Sequence, residues 1–185
     1  MHERYPPAVL IMKVGYHVAE DLAQIIRRKR KEQNDAGLIF WGYGGTLCHP
    51  IKVVVPFAKQ AEASRLSVMV LMPVTRSKFV SRGDVAAEYS LDGVHWRDVP
   101  RGIKVTGSRY ALVLRNLKEF GSDIDLSKYR VPLGPKSGVS LDGYLRSRVD
   151  KAVGLLSPRR GNSEERVVHV MYAADLVKPY AVLLR

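Results

Sequence analysis

Residues 8–41 read AVLIMKVGYHVAEDLAQIIRRKRKEQNDAGLIFW, and the order of apolar runs in this stretch decides the fold class. Val9, Leu10, Ile11 and Met12, with Val14 just beyond, form a short apolar run bounded by Pro7 and Gly15. A run of that length closed by turn residues reads as a buried strand. Val18, Leu22, Ile25 and Ile26 then recur at spacings of three and four, which is one face of a helix from about His17 to Asn34. Asn34-Asp35-Ala36-Gly37 stops it, because Gly37 suits a left-handed terminus. Leu38-Ile39-Phe40-Trp41 opens a second strand.

Moving outward, a second helix is expected from about Pro56 to Ser64. Pro50 would suit a first helical turn, but Pro56 would break the interior of a helix begun there, so residues 50–55 stay open. Leu66 to Val74 is another apolar run and reads as a strand. Residues 8–74 thus spell β-α-β-α-β, which implies a parallel or mixed sheet. Further on, Asp92-Gly93 between two β-prone runs predicts an antiparallel hairpin near 87–99. Strands are expected at Ile103–Val105 and Tyr110–Leu117, and a long Gly-, Pro- and Ser-rich loop over 120–139. Ser140 caps a helix carrying Leu141, Tyr144, Leu145, Val149, Ala152 and Val153, and Val167–Tyr172 and Tyr180–Leu184 close the chain as two strands. The expectation is one α/β domain over 1–185, with α+β features: a mixed β-sheet, about three helices and the hairpin.

Composition narrows the function classes. Hydrophobic residues make up 46% of the chain, which excludes a disordered basic tail. The one cysteine excludes an intramolecular disulfide and a zinc site built on several thiolates. His2, His17, His49, His95 and His169 show no metal-ligand spacing, although folding can gather His17, His49 and His169. No motif implies a cofactor or a metal. No apolar run approaches the roughly 20 residues that span a bilayer, and the first residues lack a signal peptide's order of charge and apolar region. A cytoplasmic protein without membrane contact is expected.

Charge points to a partner. Thirty Lys and Arg against 18 Asp and Glu give a net charge of +12, which attracts polyanions. Arg27, Arg28, Lys29, Arg30 and Lys31 are consecutive, near a helix C-terminus. Dipole complementation there explains two of them better than five. Residues 97–118 carry Arg97, Arg101, Lys104, Arg109, Arg115 and Lys118 against Asp98 alone. Residues 136–160 carry Lys136, Arg146, Arg148, Lys151, Arg159 and Arg160 against Asp142 and Asp150. Tyr110, Tyr129 and Tyr144 interleave with these cations, as a surface that stacks single-stranded bases requires. The leading expectation is a nucleic-acid-binding protein without chemistry of its own, acting on DNA, RNA or a nucleoprotein complex through Arg27–Lys31 and Arg146, Arg148, Arg159 and Arg160.

A second class rests on Phe40–Pro50, FWGYGGTLCHP. Glycines after a strand let the backbone turn tightly and aim N–H groups at an anion. No Lys-Ser/Thr pair follows at P-loop spacing, and the dinucleotide fingerprint is absent. This reading is a small enzyme acting on a phosphorylated or nucleotide-like ligand, with Gly42, Gly44, Gly45, Thr46, Cys48 and His49 at the site. Cys48 beside His49 invites a nucleophile, but a lone cysteine is more often a small buried residue. The third class is an interaction or inhibitor protein whose charge meets an acidic protein. No paired carboxylate or triad marks an enzyme, and no named module marks a nucleic-acid binder.

Overall fold

The apolar run that opens the chain lies well inside the sheet. A computed structural model describes residues 5–44, 47–79, 83–145, 150–158 and 166–185. In it β1 (Ala8–Met12) lies between β3 (Val68–Met72), parallel to it, and β8 (Lys151–Leu156), antiparallel to it. Both faces of β1 are covered. Ala8, Leu10 and Met12 join one apolar cluster with residues of α1 (Leu22–Ala36) and α2 (Val55–Ala63). Val9 and Ile11 join another with Leu126, Tyr129 and the short helix α3 (Leu141–Leu145). A strand buried on both faces has no use for polar alternation, hence five apolar residues in a row.

The described strands form one mixed sheet in the order β2–β6–β9–β3–β1–β8–β7. Here β2 is Ile39–Tyr43, β6 Tyr110–Asp125, β7 Tyr129–Arg130 and β9 Val167–Leu184. The expected hairpin is present: β4 (Glu88–Ser90) pairs with β5 (Trp96–Asp98) and also extends the end of β9. The fold is a single α/β domain, with three α-helices among the described residues, as the sequence implied. Among the described residues no helix is long and apolar enough to cross a membrane.

Residues 8–74 keep the expected order of elements, with a π-helical turn at Pro50–Val54 leading into α2. Their pairing is different from a simple alternating unit. Only β1 and β3 are parallel neighbours, while β2 lies at the far edge, antiparallel to β6. α1 begins at Leu22, not His17. Asp21 caps it by accepting from the Gln24 amide at 2.8 Å, and Gln24 Oε1 in turn accepts from the Asp21 amide at 2.8 Å. His17 and Glu20 instead exchange backbone hydrogen bonds across a tight turn. Gly37 ends the helix at φ 74° and donates to the Gln33 carbonyl, as its position implied.

The later chain corrects the sequence reading in four places. Residues 103–105 form no strand; Ile103 and Val105 are buried anchors of an irregular segment that packs on Phe40 and Val113. The supposed loop from 120 is strand until Asp125, followed by a 3-10 turn (Leu126–Lys128) and β7, so the loop proper starts near 131. Ala152 and Val153 belong to β8 rather than to a helix from Ser140; they enter the clusters on opposite faces, as strand neighbours do. The two closing strands are one, β9. It stays paired with β6 by register shifts, one of which leaves residues 177–180, with Pro179, outside the pairing.

Candidate functional site

Several chain segments converge on a cleft of about 450 Å³, within the range of roughly 300–1,000 Å³ typical of small-molecule sites. Met12–Gly15 runs on from β1, Trp41, Gly42 and Gly44 come from the end of β2, and Asp150 and Lys151 open β8. α1 contributes Ile25, Arg28 and Lys29, the irregular segment 104–108 faces them, and Lys78 and Phe79 complete the lining. Six cationic side chains line the cleft, namely Lys13, Arg28, Lys29, Lys78, Lys104 and Lys151. Among the described residues, Asp150 is the one carboxylate of the lining.

Two of these cations are structural. Lys29 is only 3% exposed, and its Nζ donates to both Glu32 carboxylate oxygens (3.0 and 2.9 Å), to the Phe40 carbonyl (2.5 Å) and to the Lys104 carbonyl (3.0 Å). Burial pulls its ammonium down to about 8 against the opposing pull of Glu32. Arg28 bridges Glu20 (Nη2–Oε2 2.5 Å) and Glu32 (Nη1–Oε1 3.0 Å), and it also donates to the Lys104 carbonyl at 2.8 Å. The Lys104 amide completes the clamp by donating to Glu32 Oε1 at 3.1 Å. Two cations and one carboxylate of α1 thus grip the main chain of residue 104, which leaves its exposed side chain at the cleft.

The other cations come from strand ends and loops. Lys151 donates to the Gly44 carbonyl at 2.8 Å and lies 4.7 Å above the Tyr43 ring, and burial lowers its ammonium pKa. Lys78 is exposed and lies 5.3 Å from the centre of the Tyr16 ring. Phe79 is tied to the 16–18 segment by two backbone bonds, its amide to the Tyr16 carbonyl and its carbonyl from the Val18 amide. His17 lines the cleft as well; burial, then the positive Arg28, hold its imidazole pKa below the ordinary value. Gly42 is glycine because of a close approach: a Cβ there would lie 2.7 Å from Ser108 Oγ and 3.2 Å from Val105 Cγ1.

The structure therefore divides the residues singled out in the sequence. Gly42, Gly44, Arg28 and Lys29 line the cleft. Gly45, Thr46, Arg146, Arg148, Arg159 and Arg160 lie outside the described residues. Cys48 is buried at 7% exposure away from the cleft lining, and burial pushes its thiol pKa up, the opposite of what a nucleophilic thiolate needs. His49 Nδ1 accepts from the Ile51 and Lys52 amides (3.2 and 3.3 Å), capping the π-helical turn, and its ring meets Tyr110 edge-on. Of the five-cation run, Arg30 pairs with Glu119 and Lys31 with Asp35, while Arg27 is exposed. Tyr129 is fully buried and donates to the Pro6 carbonyl, so it offers no stacking surface.

His17, His49 and His169 are not brought together: His169 is on Asp123 in the β6–β9 pair. Among the described residues no group of three or more His, Cys, Asp or Glu is placed to hold a metal ion. Sequence reasoning named Lys104 and Lys151 only as members of wider charge clusters and gave no role to Lys13, Lys78, Trp41 or Phe79. The available signal was positional, since Lys13 and Lys151 each stand at the end of an apolar run. Chemically, the cleft offers ammonium groups, glycine backbone, hydroxyls of Thr106 and Ser108, and an apolar wall. No protein-family model, curated protein or solved structure matches this chain.

Proposed function

We propose that the chain binds a small phosphorylated ligand in the cleft formed by β1, β2, α1 and the 104–108 segment. The observation that carries this reading is the convergence of four lysines, Lys13, Lys78, Lys104 and Lys151, from separate stretches of the chain, on one concave surface whose described lining holds a single carboxylate, Asp150. Lysines kept for solubility spread apart, because gathered like charges raise one another's electrostatic cost. A bound phosphate offsets that cost, and lysine meets it as a point charge with three donors. The net charge of +12 draws anions toward the molecule from a distance. This reading keeps the phosphate chemistry expected from composition but moves it from the Arg27–Lys31 run to the cleft. Four members of that run already hold carboxylates.

Calorimetric titration with pyrophosphate and ribose 5-phosphate tests the reading. Binding is expected at low salt and weakens as salt is raised. Lys78→Ala and Lys104→Ala each lower the affinity about tenfold, the order of one charge-assisted hydrogen bond, and leave the unfolding midpoint in place because both side chains are exposed. No binding of either compound to wild type at low salt would overturn the proposal.

A further inference from the structure

We infer that the ligand of the cleft is a nucleotide whose base lies against Trp41 and Phe79. The inference rests on the reading that the cleft takes a phosphate. It adds what the rest of the lining is for. Six residues give the cleft an apolar wall: Met12, Val14, Ile25, Trp41, Phe79 and Val105. Phosphate, pyrophosphate and sugar phosphates are polar throughout and have nothing to place against such a wall. A nucleotide combines the two characters, with a flat apolar-faced base joined to a phosphate.

The two rings are held in different ways that suit this use. Trp41 is 8% exposed and fixed in the helix-side cluster of the sheet, so it is a preformed part of the cleft wall. Phe79 is half-buried and anchored through its backbone to the 16–18 segment, and a ligand covers the remainder of its ring. Aromatic stacking accepts any base, since every base has a π-face. Asp150, which would repel a phosphate, suits the hydroxyl donors of a ribose. The base and 5′-phosphate are common to a free nucleotide and to the terminal nucleotide of a strand, so both are tested.

The protein has two tryptophans, so Trp96→Phe leaves Trp41 as the only indole fluorophore. That variant is titrated with AMP, GMP, CMP, UMP, ribose 5-phosphate and a 5′-phosphorylated oligonucleotide. At least one nucleoside monophosphate is expected to quench Trp41 and to bind about tenfold or more tightly than ribose 5-phosphate, the scale of one base stacked on an aromatic ring. Phe79→Leu keeps the apolar volume and removes the ring; it is expected to erase most of that ratio and to leave ribose 5-phosphate affinity unchanged. Tighter binding of the oligonucleotide assigns the nucleotide to a strand end; equal or weaker binding assigns it to the free pool. Equal affinity for nucleotides and ribose 5-phosphate would overturn the inference and leave the phosphate reading standing. No binding of any compound would remove both.

Discussion

Lys29 is a cation in the middle of a run of five, yet it behaves as a core residue. Its ammonium is hidden from water and fully occupied by Glu32 and two carbonyls. Removing one partner of such a pair leaves the other buried and short of a counter-charge, and Glu32 is itself only 1% exposed. Lys29→Met is therefore expected to destabilise the protein by about 3 kcal/mol, read from urea unfolding at pH 7. Arg28 remains on Glu32 in this variant, which sets the cost toward the lower end of the range for broken buried pairs. The pH dependence has a definite sign. The folded value is about 8, below the ordinary 10.5, so between the two the unfolded chain binds more protons. The stability of wild type relative to Lys29→Met should rise from pH 8 toward pH 10. A difference that stays flat across that window would show that the ammonium is not held in the way described.

α1 shows how far a local pattern reaches. Its C-terminus at Gly37 was legible from one residue, since a left-handed terminus needs nothing beyond the glycine itself. Its start was misplaced because Val18 fits the helical spacing, whereas the true start signal was the Asp21–Gln24 capping box three residues later. Asp21→Ala removes the acceptor for the Gln24 amide and is expected to cost about 1 kcal/mol, measured by thermal unfolding. An unchanged midpoint would mean that the cap adds nothing that tertiary packing does not already supply. The hairpin and β3 were likewise readable, because each rests on a turn or on an apolar run. What stayed hidden was set at a distance. Ala152 and Val153 fit a helix by spacing and became strand because β1 offered an unpaired edge. β2 followed a strand-helix-strand rhythm but paired with β6, some 70 residues away in sequence. The cleft was half legible for the same reason: Gly42 and Gly44 stand in an unusual local motif, while Lys13, Lys78, Lys104 and Lys151 meet only after the sheet forms.

At the scale of the molecule, stability is expected to grade with depth in the sheet. β1 and β3 have a strand on each side and apolar clusters on both faces. β2 and β7 are edges of the main strand order, and residues 134–139 are exposed loop. Amides of Leu10, Val70 and Leu71 should therefore be among the slowest to exchange with deuterium, and those of the 134–139 loop among the fastest. Exchange from β1 as fast as from that loop would contradict the placement of the core. Charge follows a similar gradient. On α1, Arg28, Lys29, Arg30 and Lys31 are matched by carboxylates, and a cluster of lysines lies where several strand ends and loops face one hollow.

The grip on residue 104 has a consequence for how this protein can change over generations. Arg28, Lys29 and Glu32 read only the carbonyl and the amide at that position, never the side chain. Nineteen of the twenty amino acids present the same two groups; proline alone lacks the amide. Position 104 can thus drift almost freely without disturbing the fold, and each new side chain is delivered to the same spot at the cleft. A lineage carrying this clamp can vary the chemistry of the cleft one substitution at a time while the framework stays constant.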